Sequence, residues 1–141
     1  MRTSKDCIFC KIAAGEIPCT KLFEDETLLA FMDISPLNRG HVLVIPKEHF
    51  ENIYEIDAQL YGRLYAAVCK LANAVKAAVD CHGINVMQLN GKAANQVVPH
   101  LHIHIVPRLE GDGLTICAWE PVMGDKNEIA ATAELIKAKL S

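Results

Sequence analysis

His100-Leu101-His102-Ile103-His104-Ile105-Val106 decides how this chain is read. Three histidines alternate with aliphatic residues, and alternation is the period of a β-strand, whose successive side chains point to opposite faces. His100, His102 and His104 therefore share one face, about 6.5–7 Å apart. Leu101, Ile103 and Ile105 share the other, which can pack on a core while the imidazoles open to a cleft. Imidazole titrates near neutral pH, so such a row can hold one ring neutral as a nucleophile and a neighbour as proton donor. Spacing alone leaves three readings open: packing or surface chance, a three-histidine metal site, or catalysis. Two features favour catalysis. A polar Gly/Asn/Gln loop precedes the strand, and His41 heads another apolar run. A loop-to-strand turn with exposed backbone N–H groups is a place to hold an anion.

Working outward, the histidine strand is expected over residues 97–106, with Pro107 as its stop. His41-Val42-Leu43-Val44-Ile45 is a near-continuous β-branched run stopped by Pro46, which predicts a central strand covered on both faces. Residues 21–23 and 28–34 read as strands around an acidic turn, 35–40 as a loop, and 84–89 as a further strand. Residues 57–79 form the best helix: Leu60, Leu64, Val68, Leu71, Val75 and Ala78 step by three or four along one stripe. Asp57 can cap its start and Gly83 follows its end. A weaker helix is expected over 126–140, with Asp125 and Glu128 spaced as a capping box. The cluster Ile8, Phe9 and Ile12 is one helical turn or a loop against the core. Strands and helices in this order, joined by short connections, predict an α+β fold on an antiparallel sheet.

The chain has 141 residues, enough for one domain with a real core. At 51% hydrophobic residues and a net charge of −3 it cannot be mainly disordered. Acidic residues outnumber basic ones 17 to 14 with no basic run, which argues against a nucleic-acid partner. No apolar stretch reaches the ~18 residues a membrane helix needs, and residues 1–6 carry no apolar signal segment, so a cytoplasmic protein is expected. The six cysteines are scattered, and no structural disulfide is expected. Cys7 and Cys10 have C-x-x-C spacing, half of a four-ligand zinc site, with a pair of free thiols as the alternative. Cys19, Cys69, Cys81 and Cys117 read as small buried hydrophobes or idle thiols. His82 reads as a surface or helix-capping residue.

His-φ-His-φ-His-φ-φ resembles the signature of the histidine triad (HIT) superfamily, and further blocks extend the likeness. They are Cys7-Ile8-Phe9-Cys10-Lys11-Ile12, Gly15-Glu16-Ile17-Pro18, Phe31-Met32-Asp33-Ile34-Ser35-Pro36 and Gly40-His41-Val42-Leu43-Val44-Ile45-Pro46-Lys47-Glu48-His49. The resemblance covers about residues 7–108 and is loose over 109–141. It implies one domain over 1–141, with a core at 7–108 and a C-terminal extension carrying a helix. The implied fold is an antiparallel five-stranded sheet packed with a long helix plus a C-terminal helix.

The resemblance also implies a nucleotidyl hydrolase or transferase acting at the α-phosphate of a purine nucleotide derivative, of the nucleoside phosphoramidate type. His102 would be the nucleophile and form a nucleotidyl-histidine intermediate, with His104 and His41 fixing its tautomer or relaying protons. Asp33 would hold the ribose hydroxyls, and Ile8, Phe9, Ile12, Phe31, Ile34 and Leu43 an apolar slot for the base, against plain core packing as the alternative. Gln96 matches a phosphate-loop residue, and Asn90 lies beside the position of another. Val97 stands where relatives carry a hydroxyl, so any phosphate contact there must use its backbone N–H. Pro99 removes one further donor. Zn²⁺ would be held structurally by Cys7, Cys10, His49 and His100, while the chemistry itself needs no metal. The family also implies a homodimer, with Trp119 reaching a partner's site or acting as an ordinary aromatic. Two other readings stand beside the phosphoramidate one: a dinucleoside polyphosphate hydrolase, and a nucleotide-binding or partner-binding module with weak catalysis. A metal sensor built on the C-x-x-C is a further one.

Overall fold

The computed structural model describes residues 1–116 and 121–140. Five strands, β1 (Lys21–Glu24), β2 (Leu28–Met32), β3 (Val42–Pro46), β4 (Gly83–Gln88) and β5 (Ile103–Arg108), form one antiparallel sheet in the order β1-β2-β3-β5-β4. Among the described residues three α-helices accompany it: α1 (Ile8–Ala13), the long α2 (Ala58–Val79) and the C-terminal α3 (Lys126–Leu140). The expected α+β architecture is present, and the Ile8/Phe9/Ile12 cluster is a helix. Among the described residues no helix is long and apolar enough to cross a membrane.

The central strands β2, β3 and β5 are buried on both faces, and the pleat sorts their side chains. Val42 and Val44 of β3, with Leu28, Ala30, Leu101, Ile103 and Ile105, pack against Leu64, Val68 and Val75 of α2. Leu29, Phe31, Leu43 and Ile45 pack on the opposite face with Cys7, Phe9 and Cys10. Burial of each large aliphatic side chain contributes about 1.5–3 kcal/mol. Asp57 caps α2 as expected, its Oδ1 accepting the N–H groups of Gln59 and Leu60 at 2.9 and 3.1 Å. The helix stops at Asp80, which takes the left-handed conformation (φ +49°) that glycine usually supplies. Gly83 lies beyond it as the first residue of β4. Asp125 caps α3 by accepting from Asn127 and Glu128, yet α3 buries none of its residues.

Two strands, β2 and β5, differ from expectation by more than one residue, and Pro46, expected to stop β3, is its last paired residue. β2 ends at Met32 rather than residue 34, because Asp33 turns the chain: the Ser35 N–H donates to its Oδ1 at 2.8 Å, leaving Ile34 exposed. The histidine strand begins at Ile103, not at residue 97, and runs through Pro107 to Arg108. Upstream, the Leu101 N–H donates to the Phe50 carbonyl at 2.7 Å and the His100 N–H to the Val98 carbonyl, so neither enters the ladder. Downstream, the Pro107 carbonyl accepts from Asn38 Nδ2 at 3.0 Å, beyond the last β3 pairing at Val42. The N–H that proline lacks would point that way, where the ladder has already ended. The alternation of faces survives this shift, since Leu101, Ile103 and Ile105 all enter the α2 core.

Among the described residues the remaining cysteines are free thiols: Cys81 is buried, Cys19 half-buried and Cys69 exposed. His82 is exposed and its Nδ1 accepts from the Glu110 N–H. The expectations for Cys117 and Trp119 fall outside the described residues.

Candidate active site and metal centre

His102 and His41 each meet a backbone partner of fixed polarity, and that decides their tautomers. The carbonyl of His100 can only accept, and it lies 2.7 Å from His102 Nδ1. His102 therefore carries its proton on Nδ1 and keeps a lone pair on Nε2. The Leu37 N–H can only donate, and it meets His41 Nδ1 at 3.0 Å. His41 is thereby protonated on Nε2, which donates to His104 Nδ1 at 2.9 Å. His104 in turn carries its proton on Nε2. One ring thus offers a lone pair and its neighbour a proton, with centroids 4.9 Å apart. Phe9 packs edge-on against His102 at 5.2 Å and restricts its swing. The triad does not gather as a three-histidine metal site, because its three Nδ1 atoms face the cysteines, a carbonyl and His41 respectively.

Burial pushes all these rings below the ordinary imidazole range. It takes His104 to about 4, helped by the neighbouring rings and opposed by Asp33. It takes His100 to about 4 as well, and lowers His41 and His102. The lone pair on His102 is therefore free at neutral pH. Stability follows the same shift. The unfolded chain protonates His104 near its ordinary value of 6.5, whereas the folded chain resists until about 4. Between those limits the unfolded state binds more protons, so stability is lost as pH falls from about 6.5 towards 4. Thermal melts should show a plateau above pH 7 and a progressive drop below it; a melting temperature constant from pH 7 to 5 would contradict this.

His102 and His104 open into a cavity of about 450 Å³. Ile8, Phe9, Ile12, Phe31, Ile34 and Leu43 line it, as do Asp33 and Val97. Asp33 anchors locally through Oδ1 and the Ser35 N–H, with Oδ2 3.5 Å from His41 Nε2. Two expected residues sit elsewhere. The Asn90 side chain is engaged with Gln88 and with the Ile53 N–H. Gln96 ties its loop together, donating to the carbonyls of Glu51 and Val98 and accepting from the Gly91 N–H. The sequence reading missed Ile17, Pro18, Cys19, Ser35 and Val98 as cavity residues. Ile17 and Pro18 stood in a block shared with the family, which was the available signal.

The second cluster joins the first through His100. Its Nε2–H donates to the Pro46 carbonyl at 2.9 Å, which turns the Nδ1 lone pair towards the thiols. That nitrogen lies 3.3 Å from Cys7 Sγ and 3.6 Å from Cys10 Sγ, and His49 Nδ1 lies 3.3 Å from Cys10 Sγ. The four donor atoms all fall within 4.8 Å of one another. A tetrahedral zinc with ordinary bond lengths sets sulfur–nitrogen edges of about 3.6 Å, so this donor set fits zinc. Backbone N–H groups of Ser4 and Cys10 point at Cys10 Sγ and Cys7 Sγ, as they would to support thiolates. Asp33, His41 and His104 also converge, but the two rings already hydrogen-bond each other.

The chain is similar in sequence and in fold to known proteins. Residues 14–111 match the family model described as HIT domain. The adenosine 5'-monophosphoramidase hnt1 of Schizosaccharomyces pombe is 41% identical over 135 residues, covering 95% of this chain and 98% of its own. The crystal structure of SMU.412c from Streptococcus mutans UA159 superposes with a TM-score of 0.93 at 40% identity, covering 99% of this chain and 88% of that one. A Zn-bound histidine triad family protein from Mycobacterium smegmatis superposes with a TM-score of 0.76 at 36% identity, covering 96% and 99%.

Proposed function

The chain belongs to the HIT domain family, and we propose that it hydrolyses purine nucleoside phosphoramidates at the α-phosphorus through a nucleotidyl-His102 intermediate. The observation that carries this reading is the tautomer of His102, whose Nε2 lone pair faces a cavity shared with the Nε2–H of His104. A related monophosphoramidase at 41% identity supports it.

In the first step the His102 Nε2 lone pair forms a bond to phosphorus. The bond from phosphorus to the leaving nitrogen breaks, and that nitrogen takes a proton from solvent. His104 Nε2–H donates a hydrogen bond to the phosphoryl group or the departing atom, where charge develops. In the second step water attacks phosphorus, the bond to His102 breaks, and a proton returns to solvent. The nucleoside monophosphate leaves. Asp33 accepts from the ribose diol, the apolar residues cover the base, and the Val97 N–H serves the phosphate in place of a hydroxyl. Zinc held by Cys7, Cys10, His49 and His100 would supply a structural crosslink.

The chain is further proposed to act as one domain over 1–141 and as a homodimer. Exposed Ile129, Leu135, Ile136 and Leu140 on α3 and the outer edge of β4 support that association. Sedimentation of the purified protein tests it.

The reading is tested by incubating the protein with an adenosine phosphoramidate and, separately, with a diadenosine polyphosphate, with and without chelator. Release of AMP from the first at a higher kcat/KM is expected. Turnover of the second alone would shift the assignment to polyphosphate hydrolysis, and tight nucleotide binding without turnover would make this a binding module. Asp33→Asn should raise KM about 10-fold or more, because a charge-assisted hydrogen bond contributes about 1.5–3 kcal/mol. Its effect should shrink with a dideoxyribose analogue; an equal loss on both substrates would remove Asp33 from the ribose.

A further inference from the structure

The tautomer of His104 is set by His41, and that of His41 by the Leu37 N–H at its Nδ1, with Asp33 Oδ2 3.5 Å from its Nε2 favouring the same form. Leu37 sits in the loop 35–40, so whatever holds this loop bears on whether His104 shows the cavity a proton or a lone pair. Asn38 is placed to hold it. Its carbonyl accepts the backbone N–H of His41 at 3.2 Å. Its side-chain amide donates to the Pro107 carbonyl at 3.0 Å and to Asp112 Oδ2 at 2.9 Å. Asp112 is itself clamped, receiving two bonds from Arg108 at 2.8 and 2.9 Å and the N–H groups of Leu109 and Leu114. Gly40 closes the loop with φ +92°, where a Cβ would press on Val79 and Pro107 at 3.1 and 3.2 Å.

We propose that Asn38 is a positioning residue that fixes the proton-donor tautomer of His104, acting through the Leu37 N–H and His41. A neutral imidazole has one proton and two nitrogens. If Leu37 drifts from His41 Nδ1, the proton can settle there, and Nε2 becomes an acceptor. His104 Nδ1 must then donate, which leaves the lone pair of its Nε2 facing the substrate. Donor becomes acceptor at the atom that meets the phosphoryl group. Both hydrogens of the Asn38 amide are used by acceptors, so aspartate, nearly identical in shape, would turn two attractions into repulsions. The kinetic consequence rests on the proposed phosphoramidate hydrolysis; the tautomer itself does not.

The test compares wild type with Asn38→Ala and Asn38→Asp. Long-range ¹H–¹⁵N correlation of the imidazoles in labelled protein reads each tautomer directly. Wild type is expected to show His41 and His104 protonated on Nε2. The variants should show His41 moving towards the Nδ1–H form, with kcat reduced by up to about 100-fold, the lower end of what losing one preorganised donor costs. KM should stay within about threefold, since Asn38 lies outside the cavity lining. A folded variant that keeps the wild-type tautomers overturns the proposal, even if its melting temperature falls. So does wild-type His41 found protonated on Nδ1. If Asn38→Ala does not fold, Asn38→Asp carries the test. Should wild type release no nucleotide from a phosphoramidate, the functional reading fails, while the tautomer spectra still decide the role of Asn38.

Discussion

His102→Asn protein is expected to fold, bind nucleotide and turn over nothing measurable, a loss of at least about 10⁴ in kcat. Asparagine suits this experiment better than alanine for a structural reason. The His102 ring is buried beside Phe9 and His104, and truncation to alanine would leave a void as well as remove a nucleophile. The asparagine amide can replace the Nδ1–H donor to the His100 carbonyl, the bond that orients the native ring at 2.7 Å. It carries nothing at the position of Nε2. Nucleotide affinity should stay within a few-fold, because the apolar lining and Asp33 are untouched. Acid quenching during turnover, followed by intact mass measurement, should show a nucleotidyl adduct on wild type and none on the variant. Residual turnover above about one hundredth of wild type would place the nucleophile elsewhere.

Local physics made much of this molecule legible. The stripe through Leu64, Val68 and Val75 announced α2 because a helix buries every third or fourth residue. Asp57 and Asp125 announced their helix starts because a cap bonds only two or three residues ahead. The faces of the histidine strand were legible because alternation depends on the chain alone. Its ends were not. Whether the N–H of Leu101 joins the ladder depends on the Phe50 carbonyl, and whether Pro107 is tolerated depends on where β3 stops. The tautomers were hidden for the same reason. His100 is oriented by the Pro46 carbonyl 54 residues away, and Asn38 reaches an aspartate 74 residues away. For the metal centre, spacing supplied Cys7 and Cys10, and family likeness alone supplied His49 and His100. Folding then brought the four within 4.8 Å.

Removing the metal centre should produce the largest change in stability. Protein purified without chelator is expected to carry about one zinc per chain, and Cys7→Ser protein almost none. Serine is the informative replacement, because Cys7 also caps α1: its sulfur accepts the Cys10 N–H. Serine is a strong helix cap, so the change removes a thiolate ligand while keeping the cap. With free metal at about a thousand times its dissociation constant, binding stabilises the folded chain by about 4 kcal/mol. For a chain of this length that corresponds to a fall of roughly 10–15 °C in melting temperature when the site is lost. Wild type treated with chelator should fall by a similar amount, and the variant should not respond to chelator. The damage should also reach catalysis. His100 turns one ring nitrogen towards Cys7 and Cys10, and its own carbonyl orients His102. Releasing the ring loosens the backbone that holds the tautomer of His102, so on the proposed mechanism kcat should fall while KM changes little. Elemental analysis showing the same zinc content in Cys7→Ser and wild type would rule out this donor set. Zinc loss with an unchanged melting temperature would confine the metal to a peripheral role.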